Sequence, residues 1–486
     1  MFAGWIQDTD SFYNAIDVNT LTSLSETFPY ALTEGARMHC ATIASNVGGV
    51  PLLIEHGVYG LLFEATDYKQ LAAHMVLLAQ EEETRRRLGE ALYQRASTHF
   101  SIDATVKRQK KIYVELLHRW NRPKKRRDGV LICGAYGKGN AGDDSILEAI
   151  LSQLRRIDPD MPIYVLSRNP KETKLRYRVG SYHTFDPRFI LRMCRTKLYI
   201  NGGGSLIQDV TSTRSLQYYL SNIMLAKLCG NEVLMYGCGI GPVTGIKNRR
   251  NAGKVIDRYA DIITLRDPQS AQELISMGVQ KPERRLTADP ALLLDPAEDA
   301  RVDSFMLSHG MDPAGKYALF VLRPWKGFDE VCSAFAETAE YLREAKDLTP
   351  VFLALEPRRD LAVSEQAASM VQGTCHVLSA PHDGDLIVGL MKRMQVVTSM
   401  RLHALIFAAG QGVPLVGVVY DPKVSGFLDY LNQSRYVHLG DVTAERLHFL
   451  AEAALNQGVD AYSAERLRSL AEENEHAARE LLERGR

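Results

Sequence analysis

Short runs of β-branched and other apolar residues alternate with amphipathic stretches over most of the chain after residue 128. The apolar runs predict nine strands, at Val130–Cys133, Ile163–Leu166, Lys197–Asn201, Glu232–Tyr236, Ile262–Leu265, Ala318–Leu322, Pro350–Leu355, Gln395–Thr398 and Pro414–Val419. Between them, helical spacing of apolar residues predicts helices such as Asp144–Ile157, Leu216–Leu228, Ala252–Tyr259 and Arg401–Gly412. This alternation is typical of an α/β protein with helices on both faces of parallel sheets.

Nine strands are too many for one open sheet of typical size, so we divide them near Leu294–Asp303. The division predicts two doubly wound, Rossmann-type domains, over residues 129–298 and 299–443. The closing segment, residues 444–486, has a charged helical pattern, and we expect it to pack back across the first of these two domains. Residues 1–118 precede them as a separate part of the chain.

Residues 119–128 interrupt this organisation with a Pro inside a run of Lys and Arg. Such a segment is a poor helix or strand and is typical of an exposed linker. An alternative interpretation is a weak attraction to anionic membrane lipids, because clustered cations gain free energy at such a surface. The sequence therefore predicts a basic linker and leaves peripheral membrane contact open.

Composition narrows the class of protein without naming a function. The 486 residues carry 58 Lys and Arg against 58 Asp and Glu, a balance that argues against nucleic acid as the main partner. No apolar run approaches the length of a membrane span, and the N-terminus lacks a signal-peptide pattern. Seven cysteines without a C-x-x-C pair indicate reduced thiols in a cytoplasmic protein, and the histidines show no metal-ligand spacing.

The first part of the chain carries two carboxylates eight positions apart, Glu26 and Glu34, followed by an apolar run that ends in the turn Gly48-Gly49. This order resembles the nucleotide-sugar half of the retaining GT-B glycosyltransferases of family 4. In that family a Glu pair at this spacing lies over the donor sugar and its ribose, and Glu26 and Glu34 match the pair. The resemblance also implies an upstream acceptor domain and two diphosphate-binding cations, neither of which precedes the motif here. Without those cations the leaving diphosphate would be poorly stabilised, so we predict a partial, inactive glycosyltransferase domain.

A glycine-rich loop, Gly134–Asp144, follows the first predicted strand of the second part and leads into a helix. Gly137, Gly139 and Gly142 spell G-x-G-x-x-G, the pattern of a dinucleotide-binding turn. Two acids at the start of the helix would repel a pyrophosphate, which argues against NADP. They suit a group that holds a hydroxyl-bearing substrate or takes its proton.

Eight segments in uninterrupted order resemble the polysaccharide pyruvyl transferases, particularly those of the CsaB type. They are Gly134–Leu147, Asn201–Asp209, Gly237–Pro242, Leu265–Ser270, Ala288–Ala291, Leu322–Trp325, Ser399–Ala404 and Tyr420–Lys423. The resemblance implies a GT-B-like pair of Rossmann-type domains, preceded here by the partial glycosyltransferase domain. It also implies a reaction in which phosphoenolpyruvate gives its pyruvyl group to two hydroxyls of one sugar and phosphate is released.

The chemistry of this donor indicates which residues would act. Phosphoenolpyruvate carries a carboxylate and a phosphate, which cations bind best, so Arg266, Arg401 and Lys423 are the predicted donor ligands. Protonation of the enol carbon needs a general acid, and His403, which titrates near neutrality in its ordinary state, is the candidate. Asp143 is the candidate base for the acceptor hydroxyl. The remaining predicted acceptor or loop contacts are Asn140, Gly203, Gly204, Asp209, Asp289 and Arg323.

Structural roles compete with these assignments. Asp143 and Asp144 are also placed to cap the helix that they begin, Arg323 to stack on the following Trp325, and His403 to lie in a core. Two other functions compete as well: a GT-B glycosyltransferase that uses a nucleotide sugar, and a non-catalytic scaffold. The first would need a second Glu pair downstream, which residues 329–421 lack. The second is disfavoured because Arg266, Arg401, His403 and Lys423 are all present.

The predicted partners follow from this function. They are phosphoenolpyruvate as co-substrate, with no separate cofactor and no metal, and a glycan or lipid-linked oligosaccharide as acceptor. The resemblance implies N-acetylmannosamine of a cell-surface polymer as the acceptor sugar, and a location in the cytoplasm at the inner face of the membrane. The sequence does not predict an oligomeric state.

Overall fold

The computed structural model describes residue 4 and residues 6–121, 127–210 and 212–484. Backbone packing divides the chain into two units, Met1–Arg122 with Asp303–Asp312, and Pro123–Val302 with Pro313–Arg486. Helix Ile102–Asn121 extends into the predicted basic linker, and residues 122–126 of that linker lie outside the described part of the chain. None of the described helices is long and apolar enough to cross a membrane.

The first unit is built on a three-stranded parallel sheet of order β1-β2-β3. Its elements are α1 Thr9–Asn14, β1 Val18–Leu21, α2 Tyr30–Arg37, β2 Ala41–Ser45, α3 Val50–Leu53, β3 Leu61–Phe63, α4 Tyr68–Gln80, α5 Glu82–His99 and α6 Ile102–Asn121. The central strand β2 is buried along its whole length between two apolar clusters. Helix α2 contributes to one cluster and α4 to the other, and α5 contributes to both. This is half of a Rossmann-type arrangement.

A seven-stranded parallel sheet forms the first half of the second unit. Its elements are β4 Val130–Cys133, α7 Ala141–Ile157, β5 Ile163–Ser167, α8 Pro170–Tyr177, β6 Gly180–His183, α9 Arg188–Met193, β7 Leu198–Ile207, α10 Thr213–Leu228, β8 Glu232–Ile240, α11 Ile246–Tyr259, β9 Ile262–Leu265, α12 Pro268–Ser276 and β10 Glu283–Leu286. The order is β10-β9-β8-β7-β4-β5-β6, so the winding direction reverses between β4 and β7.

A six-stranded parallel sheet of order β13-β12-β11-β14-β15-β16 forms the second half. The 3-10 turn Pro290–Leu293 and helix α13 Asp299–Ser308 precede it, and α13 is divided between the two units at Asp303. Its elements are β11 Tyr317–Val321, α14 Phe328–Lys346, β12 Thr349–Ala354, α15 Pro357–Ser369, β13 His376–Ser379, α16 Gly384–Lys392, β14 Met394–Ser399, α17 Leu402–Gly410, β15 Leu415–Val419, α18 Pro422–Tyr430 and β16 Tyr436–His438. Its winding reverses between β11 and β14. The predicted fold class, a GT-B-like pair of doubly wound sheets, is confirmed.

All nine predicted strands are present, and four more lie at the edges of the two large sheets: β6, β10, β13 and β16. The sequence did not predict them because an edge strand buries few of its side chains. In β10, for example, three of the four residues are exposed, so no apolar run marks the strand.

The chain closes with the 3-10 turn Leu439–Asp441 and two helices, α19 Ala444–Gln457 and α20 Ala461–Glu483. Residues 444–486 were expected to pack across the first of the two domains, and this holds for α20, which packs on β7, β8 and β9 of the first large sheet. Helix α19 instead packs on α14, β14 and β15 of the second large sheet, where its buried Leu447 and Leu450 join the apolar core. Asn474 fixes α20 in its place: Nδ2 donates to the carbonyl of Ala288 at 3.0 Å, and Oδ1 accepts from the hydroxyl of Thr287 at 3.1 Å.

Candidate active site

A cavity of about 780 Å³ lies where the carboxyl ends of the strands of the two large sheets face each other. Residues that follow β4 and β7 line it from one sheet, and residues that follow β11 and β14 line it from the other. These strand pairs are the two switch points of the winding, where the loops diverge and leave a crevice for a ligand. The fold therefore provides a binding site before any side chain is considered.

The structure brings most of the predicted site residues together in this cavity. Those that line it are Asn140, Asp143, Gly204, Arg266, Arg323, Arg401, His403 and Lys423. Gly203, Asp209 and Asp289 are not among the lining residues, and Glu26 and Glu34 belong to the first unit.

The cavity is strongly cationic. Its lining includes eight Lys or Arg side chains against two carboxylates, those of Asp143 and Glu356. The eight cations are Lys138, Arg168, Arg214, Arg266, Arg323, Arg359, Arg401 and Lys423. A crevice with low-dielectric walls and one sign of charge concentrates a ligand of the opposite sign. The lining thus favours a small, highly charged anion.

Asp143 lies in the first turn of α7, which Asn140 caps through a hydrogen bond from the amide of Gly142, at 3.2 Å. Nδ2 of Asn140 also donates to Oδ2 of Asp143 at 2.8 Å and thereby orients the carboxylate. Burial and the neighbouring charge of Asp144 raise the pKa of Asp143 to about 6. Asp143 can therefore exchange a proton close to neutral pH, which a fully exposed carboxylate does not do.

His403 lies in the first turn of α17 and packs against the backbone at Gly142, where a Cβ would stand 2.2 Å from its Nδ1. Its Nε2 is buried and has no hydrogen-bond partner among the described residues. Burial, together with the positive charges of Arg266 and Lys423, lowers the pKa of His403 to about 4. The imidazole is therefore neutral at pH 7, whereas the residue type alone suggested titration near neutrality; burial among cations makes the difference.

Arg266 follows β9 and is almost fully buried, held by a buried carboxylate behind it. Its Nη1 donates to Oδ2 of Asp289 at 3.0 Å, and its Nη2 donates to Oγ of Ser205 at 2.9 Å. A Cβ on Gly239 would lie 2.8 Å from that Nη2, so glycine leaves room for the guanidinium. Asp289, predicted as an acceptor contact, thus lies behind Arg266 and orients it.

Arg401 is held by two carboxylates that the sequence analysis did not single out. Its Nη2 donates to Oε2 of Glu356 at 3.0 Å and to a carboxylate oxygen of the fully buried Asp360. Within the described ranges, its Nε is buried without a partner. Glu356 and Asp360 stand just beyond the end of β12, so their position after a buried strand was the available signal.

Arg323 stacks on aromatic rings, as the structural alternative anticipated. Its guanidinium lies 4.6 Å from the ring centre of Tyr420 and 5.0 Å from that of Trp325, and Nη1 donates to the Tyr420 hydroxyl at 2.6 Å. Lys423 lies 5.6 Å above the same Tyr420 ring and 3.5 Å from Asp421. Both cations therefore stand at one aromatic wall of the cavity.

Two other predicted contacts have local structural partners. The Asp209 carboxylate accepts hydrogen bonds from the amides of Thr244 and Gly245, at 2.7 and 2.9 Å, and from the side chain of Asn248. Despite the opposing effect of burial, these hydrogen bonds lower the pKa of Asp209 to about 2. A Cβ on Gly203 would lie 2.1 Å from Cγ2 of Ile146, so this glycine lets β7 approach α7.

Sequence reasoning did not propose several cations and aromatic groups of the lining. These are Lys138, Arg168, Arg214, Arg359, Phe185, Tyr218 and Tyr219. The cations and Phe185 stand in loops or first helical turns after strands, and Tyr218 and Tyr219 stand in the second turn of α10. These positions mark the residues only once the strand order is known. Across the described ranges, no group of three His, Cys, Asp or Glu residues is arranged to hold a metal ion.

In the first unit, the Glu motif and the glycine turn touch. The amide of Gly49 donates to the carbonyl of Glu26 at 3.3 Å, and a Cβ on Gly48 would lie 1.7 Å from the same oxygen. The Glu26 side chain accepts from the hydroxyl of Ser23 at 2.6 Å, and Glu34 lies within α2. The glycines are thus required by this close contact of backbones, whatever the unit binds.

Comparison with known proteins agrees with this architecture. The chain is 31% identical over 101 residues to N-acetyl-alpha-D-glucosaminyl L-malate synthase of Bacillus anthracis, an alignment that covers 21% of this chain and 26% of the relative. It is also 32% identical over 101 residues to D-inositol 3-phosphate glycosyltransferase of Corynebacterium glutamicum (strain R), which covers 21% of this chain and 24% of that relative. The chain thus spans about a quarter of the length of these curated relatives. UDP-GlcNAc 2-epimerase of Methanocaldococcus jannaschii shares the fold at 11% identity, with a TM-score of 0.53 over 73% of this chain and 98% of that one.

Two family models match the chain. Polysaccharide pyruvyl transferase matches residues 140–422, which contain all the predicted residues that line the cavity except the adjacent Lys423, and glycosyl transferases group 1 matches residues 1–95. Six of the eight pyruvyl transferase segments lie wholly inside the matched range, and the first and last extend a few residues beyond it. The Glu pair and the glycine turn lie inside the glycosyltransferase match. The chain belongs to the polysaccharide pyruvyl transferase family and carries part of a glycosyltransferase domain at its N-terminus.

Proposed function

We propose that the chain transfers the pyruvyl group of phosphoenolpyruvate to two hydroxyls of one glycan sugar, forming a cyclic ketal and releasing phosphate. The observation that carries this proposal is the cavity at the two switch points, with eight cations around Asp143 and His403. The carboxylate and phosphate of phosphoenolpyruvate together carry about three negative charges. The molecule is small enough for a few Arg guanidinium groups to bind both of these groups. Family membership supports the same reaction class.

Arg266, Arg401 and Lys423 are the proposed donor ligands. Arg266 is held by the buried Asp289, and Arg401 is held by the buried Asp360 and by Glu356 of the cavity wall, so their remaining N–H groups are preorganised. The buried Nε of Arg401 and Nε2 of His403, without partners among the described residues, would gain partners from an anionic ligand. Lys423 would add a point charge from the aromatic wall.

The reaction is proposed to proceed in two steps at C2 of the donor, an addition followed by a substitution. In the first, C3 takes a proton and becomes a methyl group while one sugar hydroxyl loses its proton and bonds to C2. In the second, the bond from C2 to the phosphate oxygen breaks, phosphate leaves, and the second hydroxyl bonds to C2 with loss of its proton. The products are one ketal and one phosphate, and no electrons are exchanged with a cofactor.

His403 is the proposed acid and Asp143 the proposed base. His403 is neutral before the donor binds, and about three negative charges nearby would raise its pKa and bring a proton onto the ring. Asp143, with a pKa of about 6, is largely ionised at pH 7 and basic enough to accept a hydroxyl proton. Binding of the anionic donor would thus protonate His403, so the imidazole can act as an acid although the empty cavity is cationic.

The acceptor is proposed to enter beside α10 and the β6 loop. Phe185 and Tyr218 line that side of the cavity, with ring centres 5.9 Å apart, and Arg168 lies 4.6 Å above the Phe185 ring. Aromatic faces with nearby polar groups suit a sugar ring. N-acetylmannosamine as the acceptor sugar, and a lipid-linked oligosaccharide as its carrier, are proposed from the family resemblance alone.

Donor binding can be tested without knowing the acceptor. Calorimetric titration of the full chain with phosphoenolpyruvate, in two buffers of different ionisation enthalpy at pH 7, should show binding with proton uptake. In His403→Gln the uptake should vanish while binding persists, and His476→Gln, an exposed histidine paired with Glu473, should behave as wild type. Binding of UDP-sugars but not of phosphoenolpyruvate would contradict the proposed donor.

Turnover is then measured with phosphoenolpyruvate and a panel of sugar glycosides that begins with N-acetylmannosaminides. Release of phosphate together with a pyruvylated product in the mass spectrum is the expected result. Release of UDP from UDP-sugars without phosphate release would assign the cavity to a glycosyltransferase instead. Asp143→Asn and His403→Gln should each reduce phosphate release at least about a hundredfold.

A further inference from the structure

Helix α6 carries a stripe of large apolar side chains that face solvent. Ile102, Val106, Tyr113 and Leu117 are spaced by four, seven and four residues and so share one face. Their exposed fractions are 82%, 54%, 63% and 59%. Every side chain from Thr105 to Val114 is exposed, and α6 packs against α5 near its start. A folded chain seldom leaves such a continuous apolar stripe uncovered unless something binds it.

Cations lie beside this stripe and on the face opposite to it. At about 100° per residue, Lys110 falls next to Leu117 at one edge of the stripe. Lys107, Arg108 and Lys111 occupy the opposite face and are exposed. The helix sequence holds five Lys or Arg against two acidic residues. An apolar face backed by a cationic face is the pattern of a helix that lies in the plane of a lipid headgroup layer.

We propose that α6 is a docking surface for an anionic lipid membrane, with its apolar stripe at the level of the acyl chains and its lysines and arginines among the headgroups. A second copy of the chain would cover the stripe only by bringing two cationic helices together, which like-charge repulsion opposes. A nucleic acid would contact the cations and leave Val106 and Tyr113 in water. An anionic lipid layer offers acyl chains to the apolar stripe and negatively charged headgroups to the cations. This inference does not depend on the proposed reaction.

The test is flotation of the full chain with vesicles of phosphatidylcholine alone or of phosphatidylcholine with phosphatidylglycerol. We expect binding to the anionic vesicles that weakens at high salt, because exposed charges are screened. Lys107→Glu with Lys111→Glu should weaken the affinity at least about tenfold. Val106→Asp with Leu117→Asp should remove binding even at low salt, since the inserted face would then carry charge.

Helix α8 provides matched controls. Leu175 is 80% exposed and Lys174 beside it is exposed, so Leu175→Asp and Lys174→Glu make the same chemical changes outside α6. These controls should bind vesicles as wild type does, and thermal melts should show that all variants fold. Wild-type protein that fails to float, or α6 variants that float like the controls, would overturn the proposal. So would a wild-type dimer that the α6 variants dissociate while vesicle binding stays absent.

Discussion

His403 packs directly on the backbone of Gly142, because a Cβ at residue 142 would stand 2.2 Å from Nδ1 of the imidazole. Gly142 lies in the first turn of α7, on the first large sheet, and His403 lies in the first turn of α17, on the second. This contact therefore joins the two halves of the cavity. The position of the His403 imidazole thus depends on residue 142 being a glycine, which has no side chain.

Gly142→Ala is therefore expected to displace His403. We expect a loss of about 1 to 3 kcal/mol in the free energy of unfolding from overpacking, partly offset because Ala favours a helix. Phosphate release should fall at least about tenfold because the ring is no longer aligned. Gly440→Ala is the control, since nothing lies within 4 Å of its Cβ and its φ is not positive. Equal activity of the two variants would show that the contact is unimportant.

Asp143→Asn should stabilise the protein at neutral pH while removing activity. The carboxyl is harder to ionise when folded, with its pKa at about 6 against 3.8, so its ionisation costs stability as pH rises through that interval. At pH 7.5, chemical denaturation should show the variant about 1 to 3 kcal/mol more stable, and the difference should vanish near pH 3.

Asp209→Asn should change the stability at neutral pH in the opposite direction to Asp143→Asn. The pKa of Asp209 is lowered to about 2, so its ionised form contributes stability above about pH 4 that is lost as pH falls through the folded value. This variant should be less stable than wild type at pH 7.5. If both variants shifted stability in the same direction, the electrostatic explanation for Asp143 would fail.

Arg401→Lys should weaken donor binding although the charge is retained. One ammonium group cannot bond to Glu356 and Asp360 and still present a planar fork to a ligand. We expect the dissociation constant for phosphoenolpyruvate to rise about tenfold to a hundredfold, measured by calorimetry. Arg188→Lys, at an exposed pair with Asp186, should leave binding unchanged. An unchanged affinity in Arg401→Lys would remove this residue from the donor site.

Cys194 and Cys229 should form a disulfide when a thiol oxidant is added. Their Sγ atoms lie 3.1 Å apart, Cys194 is exposed, and both are free thiols. With diamide, the two thiols would lose two protons and two electrons as the diazene becomes a hydrazine. Peptide mass mapping should find the linked pair, and the closed loop should raise the free energy of unfolding by up to about 4 kcal/mol. Cys194→Ser removes the link, and a native protein that stays unlinked would refute the expectation.

The strands show which parts of the fold the local sequence could predict. Central strands such as β4 and β11 are buried over their full length and were predicted from their apolar runs alone. The edge strands β6 and β16 were not predicted, because pairing on one side with few buried residues leaves no such run.

The candidate site divides in the same way. The sequence determined which residue types follow the central strands, the Asn140 cap, and the ordered motifs that identify the family, because these depend on neighbours along the chain. Only the tertiary structure decided that Asp143 and His403 share one cavity, that carboxylates from other segments hold Arg266 and Arg401 in place, and that burial shifts the pKa values of Asp143 and His403. Desolvation and the summed field of distant charges arise only when separate segments pack together, and no local pattern records them.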